Sequence, residues 1–528
     1  MKVIITQSMA EDGINLLRYN PNFEVVVLEK DQKAELREEI KDADAIVVRS
    51  GVKVTPELLS HTNTLKIVGR AGAGYDNIDV DACSKDGIVV MIAPTGNTNG
   101  VVELTIGLLF ALVRHIPKAD STMKDGVWAK KNLKGTELKD KTLGLVGLGK
   151  IGGRVAEIAQ SLGMNVLALV KNKNKKRDIH FKGEFVDSLD DMLPRVDFLS
   201  LHVPFNQHTK HMIGSEELAK MKPSAYLVNT ARGSVIDENA LYTALKDGKI
   251  NGAAVDVYSE EPASKDDFPF VELDNVIATP HLGASTAESQ SNVSRIICQN
   301  LIEALESGIY IDAVNLPFSI AASDAAKYRP FIKLGTSLGL ISGQYEDKKI
   351  KKIAISYRTT KKMEIRPIVI SVCAKLIGTR DSSVSLINVE EYLNKGDVGL
   401  IIKQDEDPTF NNSLKLEVDY EDGTSFQVKG TYIAGVPKIV EVQNIQLEIV
   451  PAGKMLLVRN YNVPGVIGEL GTLLGENDIN IAEMHLGRSE IGGETKGALM
   501  IDTDVPENIL MQIRDLEKII DVKQINFE

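Results

Sequence analysis

The stretch that most constrains this chain is KTLGLVGLGKIGGRVAEIAQSLG, residues 141–163. An apolar run, TLGLV, breaks into Gly147-x-Gly149-x-x-Gly152 and passes straight into a helical pattern. Glycines at that spacing let the backbone turn tightly at a strand end. They also admit a diphosphate to the free N–H groups of the first helical turn, where the macrodipole favours negative charge. Alone the motif is weak, but here it has the strand–turn–helix setting that dinucleotide binding requires. A turn that merely packs helix on strand is the competing reading.

The surrounding chain repeats the same alternation. KVIITQ, GINLLRY, EVVVLE, ELREEIKDA, AIVVRS and LKIVGRAG alternate strand and helix over the first hundred residues, and a second such block runs from 141 to about 285. Alternation of this kind predicts parallel sheets with helices on their faces. A long helical pattern, 285–308, is placed to cross back to the first block. The expected fold is therefore α/β, with two doubly wound parallel-sheet lobes around a cleft, where small-molecule sites concentrate. With 528 residues the chain is too long for one core. After 313 the texture turns to α+β: YRPFIKLGTSLGLISGQ reads helical, and KIAISYRTT, SLKLEVDYEDGTSFQVKG and QNIQLEIVPAG read as strands, with a hairpin at 421–423. The last stretch reads strand, helix, strand, strand, helix, strand, a ferredoxin-like unit. The boundaries expected are 1–97 with 288–312 for a substrate-binding lobe, 98–287 for a dinucleotide-binding lobe, 313–450 for an intervening domain and 451–528 for a terminal domain.

Charge narrows the partners. A net charge of −12, with no arginine-rich tract, argues against nucleic acid, while a few local arginines could still hold a small anion. The apolar run LTIGLLFALV, 104–113, is far short of the ~18 residues that span a bilayer, so a buried helix is expected there and no membrane partner. The start, MKVIITQSMAEDG, opens as a strand without a signal-peptide core, which predicts a cytoplasmic protein. Cys83, Cys298 and Cys373 are widely spaced and form no metal-ligand pattern; buried thiols are expected and no metal.

The strand NVLALV should end in an acid that takes the adenosine ribose of NAD. Its tip instead reads Val170-Lys171-Asn172-Lys173-Asn174-Lys175-Lys176-Arg177, with no acid before Asp178. Lysines there complement a ribose 2′-phosphate, which points to NADP; a solvated basic loop beside an NAD site is the alternative.

Three later strands end in chemically distinct groups. NTARGSVID sets Arg232 after AYLV, AAVDVYSEEP brings Glu260 and Glu261, and TPHLGAST sets His281, one of only 8 histidines, after NVIATP. In open parallel sheets the carboxyl ends of strands face the ligand crevice. Oxidising an alcohol by hydride loss requires removing the hydroxyl proton, which imidazole does near neutrality. A carboxylate beside an imidazole fixes its tautomer and favours its protonated form. An arginine can grip a substrate carboxylate in bidentate fashion and so aim the reacting carbon. A surface arginine, a capping glutamate and a packed histidine are the separate alternatives, each commoner alone than all three are together.

VGLGKIG, VNTARGSVIDENAL, AAVDVYSEEP and TPHLGAST together resemble the D-isomer-specific 2-hydroxyacid dehydrogenases. VRSGVKVT, VGRAGAGYDNID, MKDGVWAKKNLKGTEL and the C-terminal extension bring the chain nearest to the long-form members that act on 3-phosphoglycerate. The resemblance implies a flavodoxin-like substrate lobe, a Rossmann cofactor lobe, an intervening domain of the allosteric substrate-binding type and a terminal ACT domain. It further implies that His281 is the acid/base, Glu261 its partner and Arg232 the carboxylate binder. Cofactor contacts are implied for Gly147, Gly149, Lys150, Ile151, Gly152, Val170, Lys171, Thr98, His202, Val203, Pro204, Thr209, Thr230, Ala231, Arg232, Asp256, His281 and Gly283, with Asp256 facing the nicotinamide amide. Substrate contacts are implied for Arg49, Ser50, Arg70, Gly72, Arg232 and His281, the first two arginines holding phosphate. Trp128, Lys130 and Lys131 are implied to reach a neighbouring subunit's site.

In the terminal segment Asn460, Asn462 and Asn480 fall on the effector positions of amino-acid-binding ACT units, which implies L-serine as effector. An ACT fold that only dimerises is the alternative. The family default for the cofactor is NAD, with NADP suggested by Val170, and a homodimer or homotetramer is implied. The leading expectation is oxidation of 3-phosphoglycerate to 3-phosphohydroxypyruvate, the entry to serine synthesis. An NADPH-dependent reductase of glyoxylate or hydroxypyruvate would use the same triad but leave Arg49 and Arg70 without a phosphate. A non-enzymatic dinucleotide sensor would have no use for the triad.

Overall fold

The computed structural model describes residues 1–527 apart from Ser8, Lys30, 174–180, Ala434 and 489–492. Asn174 to Asp178, which the argument about the adenosine end includes, lie outside the described residues.

Five short strands, β1 (Lys2–Ile5), β2 (Glu24–Val27), β3 (Ala45–Val48), β4 (Ile67–Arg70) and β5 (Val89–Ile92), form a wholly parallel sheet of order β2-β1-β3-β4-β5. Seven more build the second sheet: β6 (Thr142–Val146), β7 (Asn165–Leu169), β8 (Glu184–Val186), β9 (Phe198–Leu201), β10 (Tyr226–Asn229), β11 (Gly252–Val255) and β12 (Val276–Ala278). Their order, β12-β11-β10-β9-β6-β7-β8, is also parallel throughout. β3, β9, β10 and β11 are buried along their whole length. That is why they read in the sequence as unbroken apolar runs instead of alternating ones.

The chain crosses between the sheets twice. It leaves the first sheet after β5 and enters the helix Thr98–Val113. It returns after β12 through the helix Ala287–Ser307, whose Thr286 hydroxyl caps the first turn by accepting from Ser289 N–H. Val293, Ile297, Cys298, Leu301 and Ala304, on one stripe of that helix, pack into the core of the first sheet. The two crossings touch: a Cβ on Gly100 would lie 2.7 Å from the Gly283 carbonyl oxygen and 2.7 Å from Ser289 Oγ. Gly100 thus has a packing reason.

Beyond the lobes, Ile350–Arg358, Gly399–Gln404, Ser413–Tyr420, Ser425–Ile433, Val436–Val442 and Ile445–Ile449 make a mixed six-stranded sheet, parallel only between its first two members. The helices Ala325–Tyr345 and Arg366–Gly378 contribute most of its apolar packing. Within it Lys429, with a side chain only 5% exposed, holds Asp405 at 2.8 Å and Asp407 at 2.7 Å. The last unit runs Lys454–Tyr461, helix Val466–Glu476, Ile481–Arg488, Glu494–Ile501, helix Glu507–Arg514, Ile519–Asn526, and forms an antiparallel four-stranded sheet, as its pattern predicts. Both helices cover one face, over Leu456, Val458 and Leu499. The other face is not open to solvent: Met455, Leu457, Ala498 and Ile525 join the same apolar core as the helix Ala325–Tyr345. Among the described residues no single helix is long and apolar enough to cross a membrane.

Candidate active site

β10, β11 and β12 are neighbours in one parallel sheet, so their carboxyl ends open on the same side. The loops that follow them carry Arg232, Glu261 and His281. The His281 Nδ1 lies 2.7 Å from Glu261 Oε2 and 2.9 Å from Oε1. Burial works to raise the Glu261 carboxyl, but the hydrogen bond and charge of His281 outweigh it, with help from Arg232, and hold it below the usual glutamate range. An ionised carboxylate can only accept, so Nδ1 carries the proton, and in the neutral imidazole Nε2 is the acceptor. The imidazole remains 45% exposed, which leaves that acceptor reachable from the cleft.

His281 stands in the left-handed region, φ 54, unusual for a side chain of its size. Its loop is pinned from below. The buried Asp256 accepts from Thr279 Oγ1 (2.6 Å), from Leu282 N–H (2.7 Å) and from Gly283 N–H (3.0 Å). Three bonds to one carboxylate offset the cost of holding a non-glycine residue at positive φ. Both Asp256 oxygens therefore serve the histidine's loop, a structural duty that the sequence did not disclose.

Arg49 follows β3 and Arg70 ends β4, neighbouring strands of the facing sheet. Burial, followed by repulsion from Arg232 and Arg49, pushes the Arg70 guanidinium down to about 10. Guanidinia from two lobes thus lie close enough for Arg49 and Arg232 to repel Arg70. Asn77 braces this end: its Oδ1 accepts from Arg70 Nε (3.3 Å) and its Nδ2 donates to the Arg49 carbonyl (3.0 Å). Arg232 Nε donates to Asp76 Oδ2 at 2.7 Å, an ion pair between the lobes. Ser50 is exposed beside Arg49. Among these residues Asp76 and Asn77 went unassigned in the sequence, although they stand in the AGAGYDNID stretch.

The residues expected to hold the dinucleotide gather at the adjoining edge. Gly147 has φ +100, and a Cβ there would meet the His202 carbonyl oxygen at 2.4 Å; a Cβ on Gly152 would sit 2.2 Å from the Gly147 carbonyl oxygen. Gly149 faces open space at the head of the helix Lys150–Ser161, to which Ile151 also belongs. This is a cradle that side chains would fill, and it fits a diphosphate. Thr98 Oγ1 and Asn97 Oδ1, at the start of the helix Thr98–Val113, are buried without a protein partner, as a site built for a polar ligand leaves them. Burial pushes the His202 imidazole down to about 4, so the ring is neutral; it bonds Ser200 Oγ at 2.9 Å.

Val203 and Pro204 lie in the loop after β9, and Thr209 Oγ1 donates to the Pro204 carbonyl at 2.7 Å to close that loop. Thr230 is buried against Thr105, hydroxyl to hydroxyl at 2.9 Å, and the Ala231 carbonyl accepts from Arg232 Nη1 at 2.6 Å. Val170 packs partly into the core at the end of β7, and Lys171 is exposed beyond it. Lys173 is paired with Asp187, which follows β8, at 2.5 Å.

Other residues fall elsewhere. Trp128 is 78% exposed, with Lys130 and Lys131 exposed in the turn beside it, so none of the three joins this chain's own cleft cluster. Asn460 is buried with its Oδ1 unpartnered, and Asn462 follows the same strand end. Asn480 is brought to the opposite end of that sheet: Ile481 aligns through Ile501 with Lys454, six residues from Asn460 and so about 20 Å away at a strand's rise.

Residues 106–283 match the model of the D-isomer specific 2-hydroxyacid dehydrogenase NAD binding domain, 327–443 that of the D-3-phosphoglycerate dehydrogenase intervening domain, and 454–518 that of the ACT domain. A D-3-phosphoglycerate dehydrogenase of Methanocaldococcus jannaschii is 37% identical over 528 residues, all of both chains. Among solved structures, a D-lactate dehydrogenase of Aquifex aeolicus, complexed with NAD and lactic acid, is 32% identical with a TM-score of 0.52 over 58% of this chain and 96% of its own. An NADPH-dependent glyoxylate/hydroxypyruvate reductase of Sinorhizobium meliloti, complexed with NADP and malonate, is 28% identical with a TM-score of 0.53 over 61% of this chain and 99% of its own.

Proposed function

Since this chain belongs to the D-3-phosphoglycerate dehydrogenases, a branch of the D-isomer-specific 2-hydroxyacid dehydrogenases, we propose that it oxidises 3-phosphoglycerate to 3-phosphohydroxypyruvate in the cytoplasm, at the entry to serine synthesis. One observation carries the reading: a carboxylate-locked imidazole and a guanidinium, Arg70, repelled by two others converge from the facing edges of two parallel sheets. The substrate has matching charge, a phosphate at one end and a carboxylate at the other.

In this reading Arg49 and Arg70 hold the phosphate and Arg232 the carboxylate, so that the carbon bearing the hydroxyl is fixed between them. His281 accepts the hydroxyl proton at Nε2, and Glu261 stabilises the imidazolium that results. Gly147, Gly149 and Gly152 hold the diphosphate, with Thr98, His202, Val203, Pro204 and Gly283 lining the remainder. When bound, the nicotinamide supplies the acceptor for the hydride.

The cofactor is a nicotinamide dinucleotide, and we read its adenosine end as open to NADP as well as NAD. Val170 supplies no carboxylate to a ribose and Lys171 adds a cation, which supports NADP; Asp187, drawn to Lys173, returns some negative charge there and supports NAD. A reductase of glyoxylate or hydroxypyruvate with NADPH is the second reading, favoured by Val170 alone. Initial rates with both cofactors against 3-phosphoglycerate and plain 2-hydroxy acids separate them. Activity confined to unphosphorylated acids would overturn the phosphoglycerate reading, and a large kcat/KM preference for NAD would remove NADP.

For the terminal unit the reading is L-serine binding between two copies. Asn460 and Asn462 stand at one end of the sheet and Asn480 at the other, so a site using all three takes Asn480 from a second chain. That arrangement goes with a homodimer through the cofactor lobe, or a homotetramer once the terminal units pair, and with Trp128, Lys130 and Lys131 serving a neighbour's cleft. Serine titrated against initial rate should inhibit; an unchanged rate at millimolar serine would remove the regulatory part.

A further inference from the structure

Between β4 and Asn77 the chain of the first lobe reads Ala71-Gly72-Ala73-Gly74-Tyr75-Asp76. Its glycines give way to guanidinia. A Cβ on Gly72 would lie 2.6 Å from Arg70 Nη1, and a Cβ on Gly74 would lie 1.4 Å from Arg232 Nη2. The strap therefore runs against an arginine of its own lobe and then against one delivered by the other lobe. It ends at Asp76, whose Oδ2 takes Arg232 Nε–H at 2.7 Å.

The remaining donors of Arg232 are also constrained. Nη1 gives one hydrogen to the Ala231 carbonyl at 2.6 Å. A guanidinium has five N–H donors in a fixed fork. With Nε held by Asp76 and one Nη1 hydrogen held by Ala231, the plane of the fork is set, and one hydrogen on Nη1 and both on Nη2 remain to receive a carboxylate. Asp76 is also the acid among the charges felt by Arg70, opposing Arg232 and Arg49.

We infer that Asp76 is the positioning residue for substrate-carboxylate recognition: it aims Arg232 across the cleft, with the Gly74 backbone as the rest against which the fork lies. The inference stands on the reading that Arg232 binds the substrate carboxylate. Because the ion pair spans the lobes, Arg232 is aimed only while the lobes are together, so the carboxylate grip is built by the same approach that brings the phosphate-binding arginines to the imidazole.

The test uses the full-length enzyme and the variants Asp76→Asn, Asp76→Glu, Gly74→Ala and Arg232→Ala. Read out are kcat, the KM for 3-phosphoglycerate and for cofactor, and the thermal midpoint. Asp76→Asn should raise the substrate KM about tenfold or more, with the cofactor KM within about twofold, and Asp76→Glu should recover most of the loss. Gly74→Ala, which leaves every charge in place, should raise the substrate KM in the same direction. Asp76→Asn added to Arg232→Ala should change KM by no more than about twofold, because the two act through one group. A substrate KM in Asp76→Asn equal to or below that of the wild type, or a loss that multiplies on Arg232→Ala, overturns the inference. An unchanged KM in Arg232→Ala overturns the carboxylate reading itself; a raised KM there with none in Asp76→Asn overturns the positioning role alone.

Discussion

At the scale of single residues, the site works by holding charges where they repel. Arg70 sits among its own kind, pushed down to about 10 by burial and by Arg232 and Arg49. A doubly charged phosphate relieves that repulsion, whereas an uncharged group cannot. Arg70→Ala should raise the KM for 3-phosphoglycerate at least about tenfold and leave the cofactor KM nearly unchanged; equal effects on both would refute the phosphate assignment. In the proposed reaction Glu261 acts on the proton instead. Its carboxyl is held below the usual range, so the contact with His281 is complete above the ordinary glutamate value and is lost only as pH falls through the lowered one. Glu261→Gln should lower kcat about 10²-fold at neutral pH with little change in substrate KM. The apolar runs pointed to Arg232, to Glu260 or Glu261 and to His281; the resemblance chose Glu261, and the folded chain sets that residue against His281. What the sequence hid was how they are braced: Asp76 was passed over, and Asp256, singled out for the nicotinamide amide, also holds the Thr279–Gly283 loop.

Elements were legible where a short strand was buried throughout or a longer element kept a period. The parallel strands announced themselves as apolar runs, and the terminal unit by its order of strands and helices. The helix Arg366–Gly378 was not legible: ten of its thirteen residues are buried, so no polar face marks a period. Gly399–Gln404 failed for the opposite reason, since all six residues are exposed and only its pairing with Ile350–Arg358 makes it a strand. The same sheet carries a titratable dependence. Burial opposes the charge on Lys429, yet Asp405 and Asp407 raise it overall, while Lys429 lowers both aspartates. The contribution of the aspartates is present above about pH 3.9, the ordinary value, and is lost as pH falls through their lowered ones; that of Lys429 is lost only above the ordinary lysine range. Stability of this unit should therefore be flat between those limits. Lys429→Ala should cost about 3 kcal/mol at neutral pH, leaving Asp405, only 11% exposed, without its cation. Denaturant melts at pH 7 would show it, and a loss under about 1 kcal/mol would mean that water replaces the lysine.

For the whole molecule, the pattern of the last eighty residues suggests a detachable module, and the packing says otherwise. Met455, Leu457, Ala498 and Ile525 lie in one core with Leu338 and Ile341 of the helix Ala325–Tyr345, and Gln344 exchanges two hydrogen bonds with Asn526 at 2.8 and 2.9 Å. Ending the chain at 450 would uncover that face. At roughly 2 kcal/mol for each large side chain, the loss is of the order of a domain's entire stability. The truncated protein should aggregate or bind a hydrophobic dye, and the isolated lobes should not; a monodisperse 1–450 fragment with an unchanged melting point would refute the shared core.

Where the backbone passes between the lobes, both passages lie side by side, Gly100 pressed on Gly283 and Ser289. Two passages that lie together define one natural axle, and this one runs two residues from the imidazole of His281. Any swing that shuts the mouth then carries the arginines of the first sheet through an arc while the proton acceptor barely shifts. The grip travels, and the chemistry waits at the pivot.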